Sequence, residues 1–424
     1  MNVLIKSATI VDSSSSLNGK RVDLLIEKGI ITQIKSTIKP EKNHKIIESQ
    51  NLCVSPGWID MQARFCDPGL EHKEDFESGL SAAASGGFTA VCAMPNTEPP
   101  LHGKTQIEYV INKTKHHAVD VFPIGCLTVD RAGKEMAELY DMKNAGAVAF
   151  SDDKRPVKES GLLIRLQQYA KNINAFIITH CEDISVSAGG QMHEGEISTR
   201  IGLKGIPSLA EEIMIQRNIN ITEFTQSQLH VSCISTKQSV DLVRGAKQNE
   251  LRVSASVAAH QLLLDDSNLS EFDTNYKVNP PLRPKEDIEA LKKGLANNTI
   301  DVIVSDHSPE DIESKDLEFD LARCGMIGLE TAFAVANTAC QSKLKLDQLI
   351  EKICHNPRKL LGLEMPQLKE GEQANITLFD PSAEWLVARE DILSRSKNTP
   401  FMGQKLKGKV LGIINKNQLV LNKK

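Results

Sequence analysis

Residues 55–69 read Ser-Pro-Gly-Trp-Ile-Asp-Met-Gln-Ala-Arg-Phe-Cys-Asp-Pro-Gly. The apolar residues between positions 54 and 61 predict a short buried strand, and the Asp-Pro-Gly of residues 67–69 is typical of a turn that ends it. Side chains along a strand repeat every two residues, so we expect Gln62 and Arg64 to point the same way at its exposed end. Paired metal ligands commonly occupy two such positions.

Both ends of the chain predict a small β domain. Short β-branched segments without a helical period lie at 2–5, 8–11, 23–26 and 30–34, and again at 374–380, 409–414 and 418–421. We therefore expect a β-sandwich domain built from residues 1–53 plus 365–424, with a central domain over residues 54–364.

The central region alternates short apolar segments with helical patterns, which indicates a parallel sheet with crossover helices. Eight strands are predicted near 55–61, 88–94, 119–124, 147–150, 175–180, 228–232, 252–257 and 301–305. Eight such units favour an α/β fold of the (β/α)8 barrel type. A doubly wound sheet gives a similar pattern. We also predict a capping box over 208–211 and a helix end at Gly86-Gly87.

The carboxyl ends of barrel strands meet at one mouth, so the residues after each strand locate the candidate site. In chain order they are Gln62 and Arg64, Asn96, Asp152 to Lys154, His180, Cys233, and Asp306 to Glu310.

Composition excludes several classes of protein. A net charge of −5 without a Lys/Arg run argues against nucleic-acid binding. Nine scattered cysteines, odd in number and without a Cys-x-x-Cys pair, favour reduced thiols in the cytoplasm. The N-terminus lacks the pattern of a secretory signal, and no apolar run approaches the roughly 18 residues of a membrane helix.

The chain resembles the dihydroorotases, cyclic-amide hydrolases of the amidohydrolase superfamily, and in particular their type I class from multifunctional complexes. In that family a Pro-Gly-x-Ile-Asp strand leads into His-x-His-x-Arg. Further matching segments lie across nearly the whole chain, at 71–74, 86–89, 94–97, 146–153, 194–197, 205–207, 279–283, 328–331 and 356–357. The resemblance implies a (β/α)8 barrel and a place in de novo pyrimidine biosynthesis.

The resemblance also implies which positions would hold the metals. The family uses two histidines after the first strand, a carboxylated lysine or aspartate after the fourth, histidines after the fifth and sixth, and an aspartate after the eighth. Carried over, these positions are Gln62, Arg64, Asp153, His180, Cys233 and Asp306. Three of the six keep a family ligand: Asp153, His180 and Asp306, the last also being the family's general base. Lys154, directly after Asp153, stands where the family usually has glycine, and residues 152–154 could alternatively form only a charged turn.

Of these replacements, Arg64 is the least compatible with metal binding, because a guanidinium stays protonated and offers no lone pair to a metal ion. We expect its side chain to lie between Asp153 and Asp306, where its charge would replace that of the metal. The alternative is that the side chain points into solvent. Gln62 is expected to be a hydrogen-bonding spacer. Cys233 could act as a thiolate ligand with His180 and Asp306, although a buried structural cysteine is more common.

The resemblance also implies four substrate-binding positions, and two of them carry a different residue here. The family's carboxylate-binding arginine is Cys66 here, and a histidine is replaced by Glu310, which we expect to repel an anion. Asn96 and Asn279 match the two substrate-binding asparagines.

These observations predict a dihydroorotase homologue with a degenerate zinc site. The resemblance implies a non-catalytic partner of aspartate transcarbamoylase, and a homodimer, with no cofactor. The alternatives are an active dihydroorotase, which cyclises N-carbamoyl-L-aspartate reversibly at a reorganised Zn²⁺ site, and a hydrolase of another cyclic amide.

Overall fold

The structure is a computed structural model that describes residues 1–422. Residues 423 and 424, the end of the predicted terminal domain, lie outside the described part. The strands, in chain order, are β1 Asn2–Ile10, β2 Arg21–Glu27, β3 Ile30–Lys35, β4 Lys45–Ile47, β5 Cys53–Pro56, β6 Trp58–Ala63, β7 Phe88–Ala93, β8 Asp120–Gly125, β9 Ala149–Phe150, β10 Ile178–Thr179, β11 Met192–His193, β12 Gly205–Ile206, β13 Leu229–Val231, β14 Val253–Ala258, β15 Val302–Val304, β16 Ile376–Leu386, β17 Lys405–Asn415 and β18 Gln418–Leu421.

The α-helices are α1 Phe76–Ser85, α2 Lys104–Thr114, α3 Leu139–Asn144, α4 Ser160–Asn172, α5 Ile184–Ser187, α6 Glu196–Ile201, α7 Leu209–Thr225, α8 Lys237–Gln248, α9 Lys285–Ala296, α10 Ile312–Lys315, α11 Ala332–Cys340, α12 Leu346–Ile353 and α13 His355–Leu361. Short 3-10 turns lie at Val129–Arg131, Ala259–Leu262, Asp266–Glu271, Thr274–Tyr276 and Arg389–Asp391. Among residues 1–422, none of the helices has the length and apolar character needed to cross a bilayer.

The central strands close into the predicted (β/α)8 barrel. Two four-stranded parallel sheets have the orders β6-β7-β8-β9 and β10-β13-β14-β15. Single parallel bridges join them, Phe150 to Ile177 on one side and Ala63 to His307 on the other. These bridges connect both edges of each sheet, so the barrel is confirmed over a doubly wound sheet. All eight predicted strands are present.

The two termini form one mixed β domain, as predicted. Its eight strands run in the order β18-β17-β16-β5-β1-β2-β3, with β4 paired to β1. The apolar sides of these strands bury a separate core that includes Val3, Ile5, Leu24, Ile376 and Ile414.

The first strand predicted from the sequence is in fact two strands, so that prediction was wrong in its extent. β5 pairs antiparallel with β16 in the terminal sheet, whereas β6 pairs parallel with β7 in the barrel. Gly57 separates them, and a Cβ there would lie 2.0 Å from Asn375 Oδ1 and 2.1 Å from Thr89 Oγ1. Only glycine allows the chain to cross between the domains at this point.

The helix that follows β12 is present, but its predicted capping box is wrong. Ser208 has helical backbone angles (φ −54°, ψ −33°) and makes no side-chain cap. The Glu211 carboxylate is instead engaged by the backbone N–H of Ser235 at 2.8 Å and by Ser239 Oγ at 2.6 Å. The predicted end of α1 at Gly86 is confirmed.

Candidate functional site

The strand ends meet at the barrel mouth with unusual backbone geometry. Cys66, Asp153, Cys233 and Asp306 all have positive φ angles, between 49° and 59°. A left-handed conformation costs a non-glycine residue roughly 1–2 kcal/mol, and such residues cluster at functional sites. The surrounding structure therefore holds these four positions in conformations that their side chains disfavour.

Arg64 forms a buried bidentate ion pair with Asp153. Its Nε donates to Asp153 Oδ2 at 2.7 Å and its Nη2 donates to Asp153 Oδ1 at 2.8 Å. Nη1 donates to Ser308 Oγ. Arg64 is 8% exposed and Asp153 is 4% exposed. The guanidinium therefore faces the interior of the mouth, and the alternative in which it swings into solvent is wrong.

Asp306 is engaged by two other side chains. Gln62 Nε2 donates to its Oδ1 at 2.6 Å, and Lys154 Nζ donates to its Oδ2 at 3.0 Å. The sequence led us to expect Arg64 among both carboxylates, whereas the structure gives each carboxylate its own cation. Lys154, which the sequence suggested was part of a charged turn, therefore contributes directly to the site.

Charge pairing shifts the pKa values of this cluster. Burial alone would raise the pKa of Asp153, but the charge and hydrogen bonds of Arg64 hold it well below its ordinary range. Burial would likewise lower the pKa of Arg64, and Asp153 more than reverses the effect. Asp306 raises the pKa of Lys154 against the same burial effect. All three groups therefore stay ionised at neutral pH.

His180 lies beside a carboxylate that the sequence analysis did not identify. Its Nε2 is 3.3 Å from Glu182 Oε2, and its buried Nδ1 has no hydrogen-bond partner in the described chain. Asn279 Nδ2 donates to the same Glu182 oxygen at 2.9 Å. Burial opposes ionisation of Glu182, but His180 and Asn279 lower its pKa to about 2. Asn279 thus holds a protein carboxylate while lining the mouth.

The donor set at the six family positions does not fit the family's zinc centre. Arg64 has no lone pair to donate, and both remaining aspartates already accept from cations or an amide. Cys233 is buried, and burial raises its pKa above that of an ordinary thiol, which disfavours the thiolate that zinc requires. Within residues 1–422, no three His, Cys, Asp or Glu side chains are grouped to hold a metal ion.

The mouth opens into a cavity of about 310 Å³ lined by Cys66, Asn96 and Glu310, among others. Burial raises the pKa of Cys66 to about 12, so it offers a neutral thiol. Glu310 accepts from Lys73 Nζ at 2.6 Å, and both side chains are largely buried. Lys73 therefore neutralises the negative charge that we expected to repel an anion. Asn96 Oδ1 is buried and accepts no hydrogen bond from any residue that the structure describes.

Several residues that line the mouth were not identified from the sequence, among them Lys73, Arg131, Arg155 and Arg323, and neither was Glu182 beside His180. Lys73 lies in a segment that was noted only for its resemblance, and Arg131 belongs to a 3-10 turn after β8. Lys154 carried a usable signal, because it stands where the resembled family has glycine. His307 was a candidate, but its Nδ1 accepts from the Gly328 N–H at 3.1 Å and its Nε2 faces Glu74, so it supports the loop.

Comparisons with known proteins agree with this architecture. A family described as "Dihydro-orotase-like" matches residues 52–239. The chain is 43% identical to a dihydroorotase of Acetivibrio thermocellus over 425 residues, covering 99% of each chain. It is 42% identical to a dihydroorotase of Geotalea daltonii over 410 residues, covering 96% of each.

Solved structures show the same fold at lower identity. L-Hydantoinase (dihydropyrimidinase) from Arthrobacter aurescens superposes with a TM-score of 0.84 at 23% identity, covering 100% of this chain and 96% of that one. A D-hydantoinase gives 0.82 at 24% identity, covering 100% and 95%. Similarity over nearly the full length, together with the barrel and its terminal β domain, establishes that the chain belongs to the dihydroorotase family.

Proposed function

We propose that this chain is a dihydroorotase-family protein of pyrimidine biosynthesis whose metal site has been replaced by internal ion pairs. One observation carries the proposal: the two aspartates left at the metal positions are bound by Arg64 and by Lys154 with Gln62. Two fixed side-chain cations supply the positive charge that these carboxylates need in a buried site. No metal is required to stabilise them.

The size of the catalytic deficit supports a non-catalytic role. A metal lowers the pKa of bound water from 15.7 to about 7. Without the metal, the amount of hydroxide available for attack at neutral pH is therefore lower by roughly eight or nine orders of magnitude. A general base typically recovers only about 10²- to 10⁴-fold. Asp306, the family's base, also accepts from Gln62 on one oxygen and from Lys154 on the other, so each oxygen is already engaged by a protein donor.

The proposed role is that of a cytoplasmic structural partner of aspartate transcarbamoylase, formed by a homodimer of this chain. It is supported by the resemblance to family members that assemble in this way, and by a fold retained over its full length despite the altered mouth. Co-sedimentation of the purified chain with aspartate transcarbamoylase, at low and high salt, tests it. Failure to form a complex at either salt concentration would contradict this role.

An active dihydroorotase with a reorganised Zn²⁺ site is the second candidate. It is favoured by relatives that carry the name dihydroorotase at about 42% identity and by the unpartnered Nδ1 of His180. In this alternative His180, Cys233 and Asp306 would hold the metal, which requires Lys154 to leave Asp306 and the Cys233 thiol to ionise. Both changes oppose the geometry of the buried site.

Metal analysis and turnover separate the two candidates. The purified chain is assayed for bound zinc and for cyclisation of N-carbamoyl-L-aspartate and hydrolysis of dihydroorotate, with and without added Zn²⁺. We expect neither stoichiometric zinc nor turnover. Stoichiometric zinc together with turnover that disappears in Asp306→Asn would overturn the proposal. An Asp241→Asn variant, altered on the exposed face of α8, controls for purification and contaminating enzyme.

A further inference from the structure

The cavity at the barrel mouth has an excess of positive charge. Its lining includes six basic side chains and three acidic ones. Each acidic side chain is already paired: Asp153 with Arg64 at 2.7 Å, Asp306 with Lys154 at 3.0 Å, and Glu310 with Lys73 at 2.6 Å. The remaining basic residues, Arg131, Arg155 and Arg323, have no acidic partner among residues 1–422.

Arg131 is the most constrained of the three. It is half-buried, and its Nε is shielded from solvent with no acceptor in the described chain. A buried donor without a partner costs roughly 1–3 kcal/mol. Asp130 and Arg131 also have consecutive positive φ angles of 54° and 56°. The turn therefore holds a guanidinium beside the cavity at a cost that no hydrogen bond from this nitrogen offsets among residues 1–422.

The three arginines in the cavity lining favour a ligand that carries a phosphate group. A guanidinium offers planar, paired donors that match the oxygens of phosphate, and three of them carry more charge than one carboxylate can neutralise. A phosphate monoester carries about −1.5 to −2 charge and three acceptor oxygens. Asn96 Oδ1, buried without a donor, adds a place for an N–H or O–H of the same ligand. A cavity of about 310 Å³ suits a small molecule.

We propose that the barrel mouth binds a small phosphate-bearing anion through Arg131, Arg155 and Arg323. The inference rests on the proposed function in one respect, namely that Arg64, Lys73 and Lys154 remain committed to their own carboxylates. The cavity is then a binding site for an anion that the chain does not hydrolyse. The two exposed arginines, Arg155 and Arg323, attract the ligand, and half-buried Arg131 supplies the most desolvated donors.

Titration calorimetry of the full chain with inorganic phosphate and with pyrophosphate, in the presence of a chelator, tests the proposal. We expect saturable binding of both, weakened by added salt. Loss of one charge-assisted contact corresponds to about a tenfold weaker affinity, so Arg131→Gln and the double variant Arg155→Gln/Arg323→Gln should each bind at least that much more weakly. Arg165→Gln removes the same charge from the exposed side of α4 and should bind like the parent.

Several results would overturn the proposal. They are the absence of phosphate and pyrophosphate binding, equal loss of affinity in Arg165→Gln, and tighter binding of N-carbamoyl-L-aspartate than of either phosphate. If Arg131→Gln fails to fold, the double variant decides alone, because its two side chains are exposed and have no acidic partner in the described structure. A failure here leaves the zinc and turnover assays unaffected, so the two proposals fail independently.

Discussion

Replacing Arg64 by methionine tests whether an internal cation stabilises the buried Asp153 carboxylate at the barrel mouth. Methionine keeps most of the side chain's length and removes the charge and all three hydrogen bonds to Asp153 and Ser308. Asp153 would then be a buried carboxylate without its partner. Breaking one side of a buried ion pair typically costs about 3–5 kcal/mol. We expect a loss of this size in the free energy of unfolding.

Urea unfolding monitored by circular dichroism measures the effect, with Asp153→Asn and the double variant completing a thermodynamic cycle. The double variant removes the unpaired charge, so it should recover about 2 kcal/mol relative to Arg64→Met alone. Arg244→Met provides the matched control. Its pair with Asp241 has a distance of 2.6 Å, but the two side chains are 39% and 41% exposed. Exposed pairs contribute about 0.2–1 kcal/mol.

The reasoning is refuted if Arg64→Met costs no more than Arg244→Met. It is also refuted if the double variant is as unstable as the sum of its single changes, since independent residues give additive effects. Either result would mean that the carboxylate of Asp153 is stabilised by something other than the guanidinium.

Three further predictions concern other parts of the chain. Burial lowers the pKa of His230 to about 3, below the ordinary 6.5. The unfolded chain therefore takes up a proton first as pH falls, and the stability that this neutral histidine contributes is lost below about pH 6.5. Between pH 7.5 and pH 5, the free energy of unfolding should fall by about 2 kcal/mol because of this residue. The His230→Asn variant should lack this decrease. Gly57→Ala should cost about 1–3 kcal/mol or prevent folding, because its Cβ would overlap Asn375 and Thr89. Gly245→Ala, in open space within α8, should raise the melting temperature through a gain of about 0.5–1 kcal/mol.

The barrel was predictable because its strands are short apolar runs between clear helical segments. Residues 88–93 and 253–258 are buried along their whole length, as strands covered on both faces must be. The division of the first predicted strand was not predictable. Apolar residues continue across positions 54–61, and the requirement for Gly57 arises from Asn375, more than three hundred positions away along the chain.

The contacts within the candidate site were likewise only partly predictable from the sequence. Resemblance located the altered positions, and the chemistry of arginine predicted that Arg64 would pair with a carboxylate. Which carboxylate Arg64 pairs with depends on the relative positions of two strand ends that are distant in the sequence. Asp153 follows β9 and Asp306 follows β15. The contact of Lys154 with Asp306 spans 152 positions, and that of Lys73 with Glu310 spans 237. Neither leaves a local pattern in the sequence.

These pairings determine what a restoration of the metal site must include. Changing Gln62→His, Arg64→His, Cys66→Arg and Cys233→His returns the family's side chains at four positions. Lys154 would still donate to Asp306, and an ammonium bound to a ligand carboxylate opposes a second cation at the same oxygen. We therefore expect little zinc in the four-residue variant and more when Lys154→Gly is added. Zinc content by mass spectrometry measures the difference, with Lys134→Gly at an exposed loop position between β8 and α3 as the matched lysine control. Equal zinc content with and without Lys154→Gly would show that this lysine does not exclude the metal.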